Sequence, residues 1–367
     1  MKIDFVDLKR QNKLYKKDLL KPIEKIVDNA SFIMGTAVVE FEKQFAAFCD
    51  KKYCVGLNSG TDGLLLALLS YGISQGDEVI TVPNSYFSTA MVISLIGAKP
   101  VFVDIDTKTY NIDVSRIEEK ITKKTKAIIP VHLYGQSADM DPIVALAKKY
   151  NLIIIEDCCQ AHGAKYKQQS LPYTETGAFS FYPGKNLGSF GDGGAVVTNN
   201  SKIKEKLEYL RNDGSKKKYE HKIFGYKSRL DTLQAAILSV KLQHLDDFVE
   251  KRRKAAHLYS KKLSEIKQIT TPYEADYAYH AFHIYAVVCE RRDELQKYLL
   301  QAQIQTVIHY PTPIHLQTPY RKIGFKEGDF PLTESFSKHV LSLPIFPEIK
   351  EEEIDYVCNK IREFYSK

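Results

Sequence analysis

Three short stretches of the chain carry residue types that could do chemistry. The most informative is Phe179-Ser180-Phe181-Tyr182-Pro183-Gly184-Lys185-Asn186-Leu187-Gly188. It follows an apolar run, and its proline and glycines mark a loop. A lysine there is oddly placed for mere solvation. Shielded from water, its amine gives up a proton more readily and becomes a nucleophile; the alternative is an ordinary surface lysine. The loop continues as Gly191-Asp192-Gly193-Gly194, and glycines let backbone approach a ligand closely. The second stretch is Glu156-Asp157, closing the apolar run LIIIE and followed by Gln160-Ala161-His162-Gly163. A carboxylate at a strand's end either caps the next turn or holds a cationic ligand group such as a pyridinium. The third stretch is Asn58-Ser59-Gly60-Thr61-Asp62-Gly63. Backbone N–H groups at a helix start, with the Thr61 hydroxyl, suit a phosphate. An ordinary N-cap built on Ser, Thr or Asp accounts for the same residues.

Such residues need elements to hold them. Tyr53–Leu57 reads as a strand and Asp62–Tyr71 as the helix after it. Further strands are expected at Glu78–Val82, Pro100–Ile105, Ala127–Leu133 and Leu152–Glu156, with helices between them such as Met140–Tyr150. The run LIIIE lacks polar alternation, which suits a strand buried on both faces. Strand–helix alternation implies an α/β domain around a mostly parallel sheet, and in such sheets ligands sit beyond the carboxyl ends of the strands. Ala178–Tyr182 and Ala195–Thr198 read as two more strands flanking the glycine-rich loop. A helical pattern from Arg229 to about Ile266 is long enough to bridge two domains. Beyond it, His283–Val288, Gln305–Ile308 and a final helix near Glu351–Tyr365 suggest a smaller α+β domain. The division expected is residues 1–245 and 246–367.

The bulk numbers bound the function. A chain of 367 residues, 44% apolar and 26% charged, reads as soluble and globular. The net charge of +7 is either a solvated Lys-rich surface or an attraction for phosphorylated substrates. No stripe interleaves basic and aromatic residues, so no nucleic-acid partner is expected. Neither a signal peptide nor a run of transmembrane length is visible, so the protein is expected in the cytoplasm with no membrane partner. The six cysteines match neither a zinc spacing nor a disulfide framework, and the adjacent Cys158 and Cys159 read as reduced. No G-x-G-x-x-G opens a helix, and there is no P-loop and no H-E-x-x-H motif. No metal is expected.

Six segments in order resemble the sugar aminotransferases of the DegT/DnrJ/EryC1/StrS family. They are FIMG (Phe32–Gly35), NSGTDGL (Asn58–Leu64), EDCCQAHGA (Glu156–Ala164), FSFYPGKNLGSFGDGGA (Phe179–Ala195), GYKSRLDTLQAAIL (Gly225–Leu238) and IHYPTPIHLQ (Ile308–Gln317). The resemblance covers almost the whole chain and implies the aspartate aminotransferase fold (fold type I). That means an α/β large domain with a mostly parallel seven-stranded sheet flanked by helices, and a smaller C-terminal α+β domain. It implies pyridoxal 5′-phosphate (PLP) as cofactor. Lys185 matches the lysine that forms the Schiff base and later shuttles protons. Asp157 matches the carboxylate paired with the pyridine nitrogen, whose charge keeps that nitrogen protonated. Gln160 matches the residue beside the ring hydroxyl, and Tyr86 the aromatic stacked on the ring face, although PNSYFSTA leaves Phe87 open as well. Gly60, Thr61 and Ser180 match the phosphate cradle.

The resemblance also implies substrates and assembly. The family's substrates are keto sugars on a nucleoside diphosphate, with glutamate as amino donor. Tyr182, Lys218, His309 and Tyr310 match positions that contact the sugar or its diphosphate. The P-x-K-N-L-G form at Pro183–Gly188 resembles enzymes that aminate carbon 3 of a dTDP-linked 3-keto-6-deoxyhexose; UDP-linked 3-keto sugars and 4-keto sugars are the alternatives. The family builds its site at the interface of a homodimer. One departure bears on this, because Lys227 in GYKSRLD stands where the family has an Asn that reaches the neighbouring subunit's cofactor phosphate. Lysine also binds phosphate, as a point charge; otherwise Lys227 points to solvent and the contact is lost. Relatives with His in place of the lysine act as dehydratases, and Lys185 argues against that. A regulatory role would call for a helix-turn-helix or basic appendage, and none is visible.

Overall fold

The structure is a computed structural model that describes residues 1–366. Two four-stranded sheets form the centre. In the first, Tyr53–Leu57 pairs with Gly194–Thr198, which pairs with Thr176–Ser180, both antiparallel; Thr176–Ser180 then pairs parallel with Glu156–Asp157. In the second, Lys99–Phe102, Glu78–Thr81, Thr125–Ile128 and Ile153–Ile154 are all parallel. The sheets meet along one run. Ile153–Ile154 pairs to one side and Glu156–Asp157 to the other, with only Ile155 between. The Ile155 N–H still donates to the Ile128 carbonyl (3.1 Å), and the Asp157 N–H to the Pro130 carbonyl (2.9 Å). The α/β class is therefore as expected, with Gly194–Thr198 running against both its neighbours.

Four local expectations are corrected. The strand expected over 127–133 stops at Ile128. Pro130 has no N–H for a ladder, and Leu133–Gly135 winds into a 3-10 turn. Ile153 and Ile154 are only half-buried, so the run is not covered on both faces along its length. The long helical pattern breaks into Thr232–Leu242 and Leu245–Leu263. His244 leaves helical geometry, and Asp246 and Asp247 begin the second helix, where negative charge favours an N-terminus. Finally, 305–308 forms no strand and contributes a single bridge between Val307 and Ser342.

Packing explains how the lysine loop is anchored. Alternate residues of a strand face opposite sides. Phe179 and Phe181 accordingly enter the core, while Ser180 and Tyr182 on either side of Phe181 line the opposite, open face. Helix Thr36–Phe48 presents Val38, Phe41 and Phe45 on one face, as helical spacing dictates. The Phe45 ring meets Phe179 and Phe181 edge-on at 5.0 and 5.1 Å and stacks on Phe41 at 5.6 Å. A separate apolar cluster joins helix Leu245–Leu263, strands Tyr285–Cys289 and Val340–Leu343, and helix Glu351–Tyr365. Ile3 packs into it from the amino end. Arg10 grips both Glu353 oxygens at 2.8 and 2.9 Å. Among the described residues no helix is long and apolar enough to cross a membrane. All six cysteines are free.

Phe45 is fully buried at the hinge of this aromatic cluster. Phe45→Ala should lower unfolding stability by roughly 3–5 kcal/mol, as large-to-small changes of buried aromatics do. Denaturant titration measures this, and a loss below about 1 kcal/mol would mean that the cluster does not anchor the sheet.

Candidate active site

A cavity of about 650 Å³ opens beyond the strand ends. Ten of the residues expected at a site line it together: Gly60, Thr61, Tyr86, Asp157, Gln160, Ser180, Tyr182, Lys185, His309 and Tyr310. Lys218 and Lys227 do not. Lys218 is exposed in the turn after strand Ser215–Lys217, its Nζ 5.0 Å from the Tyr219 ring. Lys227 is exposed and bridges Asn212 through its backbone.

One end of the cavity is the start of helix Gly60–Ser70. Ser59 is the N-cap, its Oγ accepting from the Asp62 N–H at 3.0 Å. That cap leaves the N–H groups of Gly60 and Thr61, which a helix cannot satisfy internally. A Cβ on Gly60 would lie 2.6 Å from Ser180 Cβ and 2.7 Å from Cys159 Sγ, so the close approach requires glycine. Thr61 Oγ1 donates to Ser88 Oγ at 2.9 Å. Free N–H groups and three hydroxyls converge here, a donor set that fits a phosphate.

The neighbouring carboxylates Glu156 and Asp157 face opposite ways. Glu156 is fully buried and accepts from His132 Nε2 (2.8 Å), the Tyr173 N–H (2.8 Å) and Thr174 Oγ1 (2.6 Å). Burial works against its charge, but the bonds from His132 and Thr174 outweigh burial and hold the carboxyl below its usual range. His132 Nδ1 accepts from the Ala138 N–H, so its proton sits on Nε2. The ligand atoms of His132, Glu156 and Cys158 lie within 4.8 Å of one another, but the first two are already spent on hydrogen bonds. Asp157 faces the cavity instead. Its Oδ2 accepts from Thr89 Oγ1 (2.8 Å), which Ser85 contacts in turn (2.8 Å), and its Oδ1 accepts from the Cys159 N–H (3.1 Å). This leaves a buried, oriented carboxylate suited to a cationic ring nitrogen.

Lys185 sits in a braced loop. Its N–H donates to the Tyr182 carbonyl at 2.8 Å, Asn186 Nδ2 to the Ala281 carbonyl at 3.0 Å, and the buried Lys241 ammonium to the Gly188 carbonyl at 2.7 Å. Among the described residues no carboxylate lies within ion-pair distance of the Lys185 amine. Desolvation lowers its pKa, with Cys159 and Asp157 only partly opposing. Burial first, and the Lys185 charge second, push His309 down to about 4 and His283 well below its usual value. Both imidazoles are neutral near pH 7.

Of Tyr86 and Phe87, Tyr86 lines the cavity, 6.0 Å from the Tyr310 ring. Phe87 packs on Tyr320 in a separate cluster. Several lining residues were not anticipated. Ser85, Ser88 and Thr89 lie beside Tyr86 in the sequence, and their density of hydroxyls was a usable signal. Cys159, Asp192 and His283 also line the cavity, as do Phe5, Val6 and Leu8. The last three arrive because the Ile3 N–H bonds the Gln303 carbonyl and the Gln305 N–H bonds the Ile3 carbonyl, both at 2.9 Å. No local pattern signals a pairing across some three hundred residues.

The chain is similar to known proteins along nearly its whole length. The sequence profile of the DegT/DnrJ/EryC1/StrS aminotransferase family matches residues 14–362. The chain is 46% identical over 368 residues to a protein of Geobacillus stearothermophilus described as a pleiotropic regulatory protein, covering 100% of this chain and 99% of that one. It is 46% identical over 365 residues to the dTDP-3-amino-3,6-dideoxy-alpha-D-galactopyranose transaminase of Aneurinibacillus thermoaerophilus, covering 99% of each. The crystal structure of S. venezuelae DesV in complex with a ketimine intermediate matches with a TM-score of 0.98 at 40% identity, over 100% of this chain and 99% of that one.

His162, next to the lysine loop, yields a pH prediction. Its ring lies 5.3 and 5.8 Å from Phe179 and Phe181. Both nitrogens are buried without a hydrogen-bond partner apart from a marginal approach to the Ser180 backbone. Burial first, then Lys185, lowers its pKa to about 3. An unfolded histidine protonates near pH ~6.5. Between those values the unfolded chain binds more protons, so stability falls as pH drops from 6.5 towards 3. His162→Phe removes this titration and the two unpaired nitrogens. It should keep stability at pH 7 within about 1.5 kcal/mol and make the acid-side slope shallower by up to about 1.4 kcal/mol per pH unit. Denaturant titrations at pH 7 and pH 5 test this; an unchanged slope would refute it.

Proposed function

Because the chain belongs to the DegT/DnrJ/EryC1/StrS aminotransferase family, we propose that it moves an amino group from glutamate to carbon 3 of a dTDP-linked 3-keto-6-deoxyhexose. It is a PLP-dependent sugar aminotransferase. The observation that carries the reading is a single cavity holding a desolvated lysine, a buried carboxylate and a phosphate-type cradle. PLP supplies an electron-accepting ring when bound. Gly60, Thr61 and Ser180 would hold its phosphate, Asp157 would pair with its ring nitrogen, Gln160 would sit by its ring hydroxyl and Tyr86 would cover a face. The Lys185 amine would attach the cofactor and would be placed to carry a proton. Tyr182, His309 and Tyr310 orient the sugar, and only the carbon they turn towards the amine reacts. The P-x-K-N-L-G loop supports carbon 3, as does the activity for which the Aneurinibacillus relative is named. A UDP-linked 3-keto sugar or a 4-keto sugar is the alternative. Regulation, as in the description of the Geobacillus relative, requires neither Lys185 nor Asp157 in this setting. The six free cysteines accord with a cytoplasmic protein. The two sheets joined along Ile153–Asp157 are read as one seven-stranded sheet of a large domain, 1–245, with 246–367 as the small α+β domain.

Charge supports a homodimer. Among the described residues, Lys185 is the sole Lys or Arg lining the cavity, against Asp157 and Asp192. Yet cofactor phosphate, sugar diphosphate and glutamate are all anions. Lys218 and Lys227 lie exposed near exposed Phe224 and Tyr226, and a second copy could bring them to its neighbour's cavity.

Two experiments test these readings. The first incubates enzyme, PLP and glutamate with a panel of keto sugar nucleotides, reading products by mass and NMR. Amination of the dTDP-linked 3-keto sugar is expected; amination of a 4-keto or UDP sugar alone would reject the regiochemistry or the nucleotide. Lys185→Ala should abolish turnover and the visible absorption of bound cofactor. Asp157→Ala should cut turnover at least about tenfold, equivalent to roughly 1.4 kcal/mol. Near-normal Lys185→Ala activity would sink the aminotransferase assignment. The second experiment is sedimentation, expected to give twice the 41.9 kDa chain mass, with Lys227→Ala releasing PLP faster. A monomer, or unchanged retention, would reject the cross-subunit role.

A further inference from the structure

At the cavity wall, four residues close a ring of hydrogen bonds. The Tyr134 N–H donates to Gln160 Oε1 at 2.8 Å. Gln160 Nε2 donates to Tyr310 Oη at 2.8 Å. Tyr310 follows His309 in the chain, and the His309 carbonyl accepts from the Tyr134 hydroxyl. The ring has one sense. A backbone N–H can only donate, so the amide of Gln160 must turn its oxygen to Tyr134 and its NH₂ to Tyr310. Tyr310 Oη thus accepts from Gln160 and keeps its own hydrogen for donation elsewhere.

Tyr134 is the member that no motif singled out and that does not line the cavity. It is buried, at 4% exposure. Its backbone is left-handed, with φ 59°, a conformation that side-chain-bearing residues rarely adopt. Its carbonyl accepts from the Ile284 N–H at 3.3 Å, and the next residue, Gly135, accepts from the Ala281 N–H at 2.8 Å. These bonds dock it against the segment carrying His283. Burial raises the phenol's pKa well above its usual value, so the hydroxyl remains a donor. The His309 ring is held separately, by Ser342 Oγ at 2.9 Å and by Phe5 at 5.7 Å between centroids. The Tyr134 hydroxyl therefore acts on the His309–Tyr310 backbone rather than on the imidazole.

We propose that Tyr134 is a positioning residue that locks the His309–Tyr310 segment, on the substrate side of the cavity, to Gln160 on the cofactor side. The assignment of sides rests on the function proposed above; the ring itself does not. Tyr134→Phe removes one hydrogen bond while keeping the ring and the backbone conformation.

Two measurements on the PLP-loaded enzyme test it. The first is hydrogen exchange followed by mass spectrometry and needs no substrate. Backbone exchange around 308–310 should quicken by about three- to tenfold in Tyr134→Phe, the range expected for one lost hydrogen bond, with exchange in 53–57 unchanged. The second is kinetic. KM for the keto sugar should rise about fivefold, a typical cost for one bond, while loss of the cofactor's visible band on adding glutamate keeps its rate. In a Tyr310→Phe background, where the ring is already open, Tyr134→Phe should add little. Unchanged exchange at 308–310 overturns the proposal. So does an equal fall in the sugar and glutamate steps, or full additivity with Tyr310→Phe, because a merely structural residue would give either. If the wild-type enzyme aminates no sugar on the panel, the substrate reading fails, and the exchange measurement still decides for or against the lock.

Discussion

The site depends on keeping one lysine amine out of water without giving it a contacting carboxylate. An ammonium in such a place loses hydration, and only a close counter-ion could restore the lost stabilisation. Asp157 and Cys159 influence Lys185 from a distance, and among the described residues no ion pair closes on it. A carboxylate at contact would hold the proton and quench the nucleophile. The surrounding loop exists to maintain this arrangement. Phe179 and Phe181 fix its stem in the aromatic core, and Asn186 and Lys241 fix its far side. Lys241 is itself desolvated, with its pKa lowered to about 8. The fold thus tolerates a second buried cation in order to hold the loop of the first.

A period of two then distributes the chemistry. Glu156 and Asp157 are adjacent and chemically similar, yet alternation sends one into the protein and the other into the cavity. Glu156 is consumed by His132, Tyr173 and Thr174 and serves to pin the strand's end. Asp157 keeps a charge-bearing face, steadied by Thr89. The same alternation at 179–182 buries the two phenylalanines and leaves Ser180 and Tyr182 on the cavity side. Two strands ending side by side, Glu156–Asp157 against Gly177–Ala178, are enough to bring carboxylate and lysine loop together.

This also explains what the sequence could and could not reveal. Lys185, Asp157, Gln160 and Gly60 were legible because each is fixed by its own segment: a turn, a strand end, a helix start. Strand–helix alternation made the α/β class legible for the same reason. Thr89, His283, Phe5 and Tyr134 were not, since their roles arise from distant pairings and their residue types have commonplace local uses. Pro130 should have ended the strand expected over 127–133, since it cannot donate to a ladder. Asp246 and Asp247 should have signalled a fresh helix start. Both were local signals that the longer hydrophobic pattern overrode.

The remaining question is why one chain would build such a cavity and leave it short of positive charge. A cationic wall of its own would neutralise anionic ligands, but it would also stand close to Lys185. A nearby positive charge would compete for Asp157. Keeping Lys218 and Lys227 outside, on exposed segments, separates the two requirements. The amine is tuned by desolvation inside one chain, with those two lysines outside the cavity wall. Helix N–H groups at the Gly60 end offer an anion site without adding a full charge. Among the described residues, the cavity's one Lys or Arg side chain is then Lys185 itself, its pKa lowered by burial rather than by a neighbouring cation.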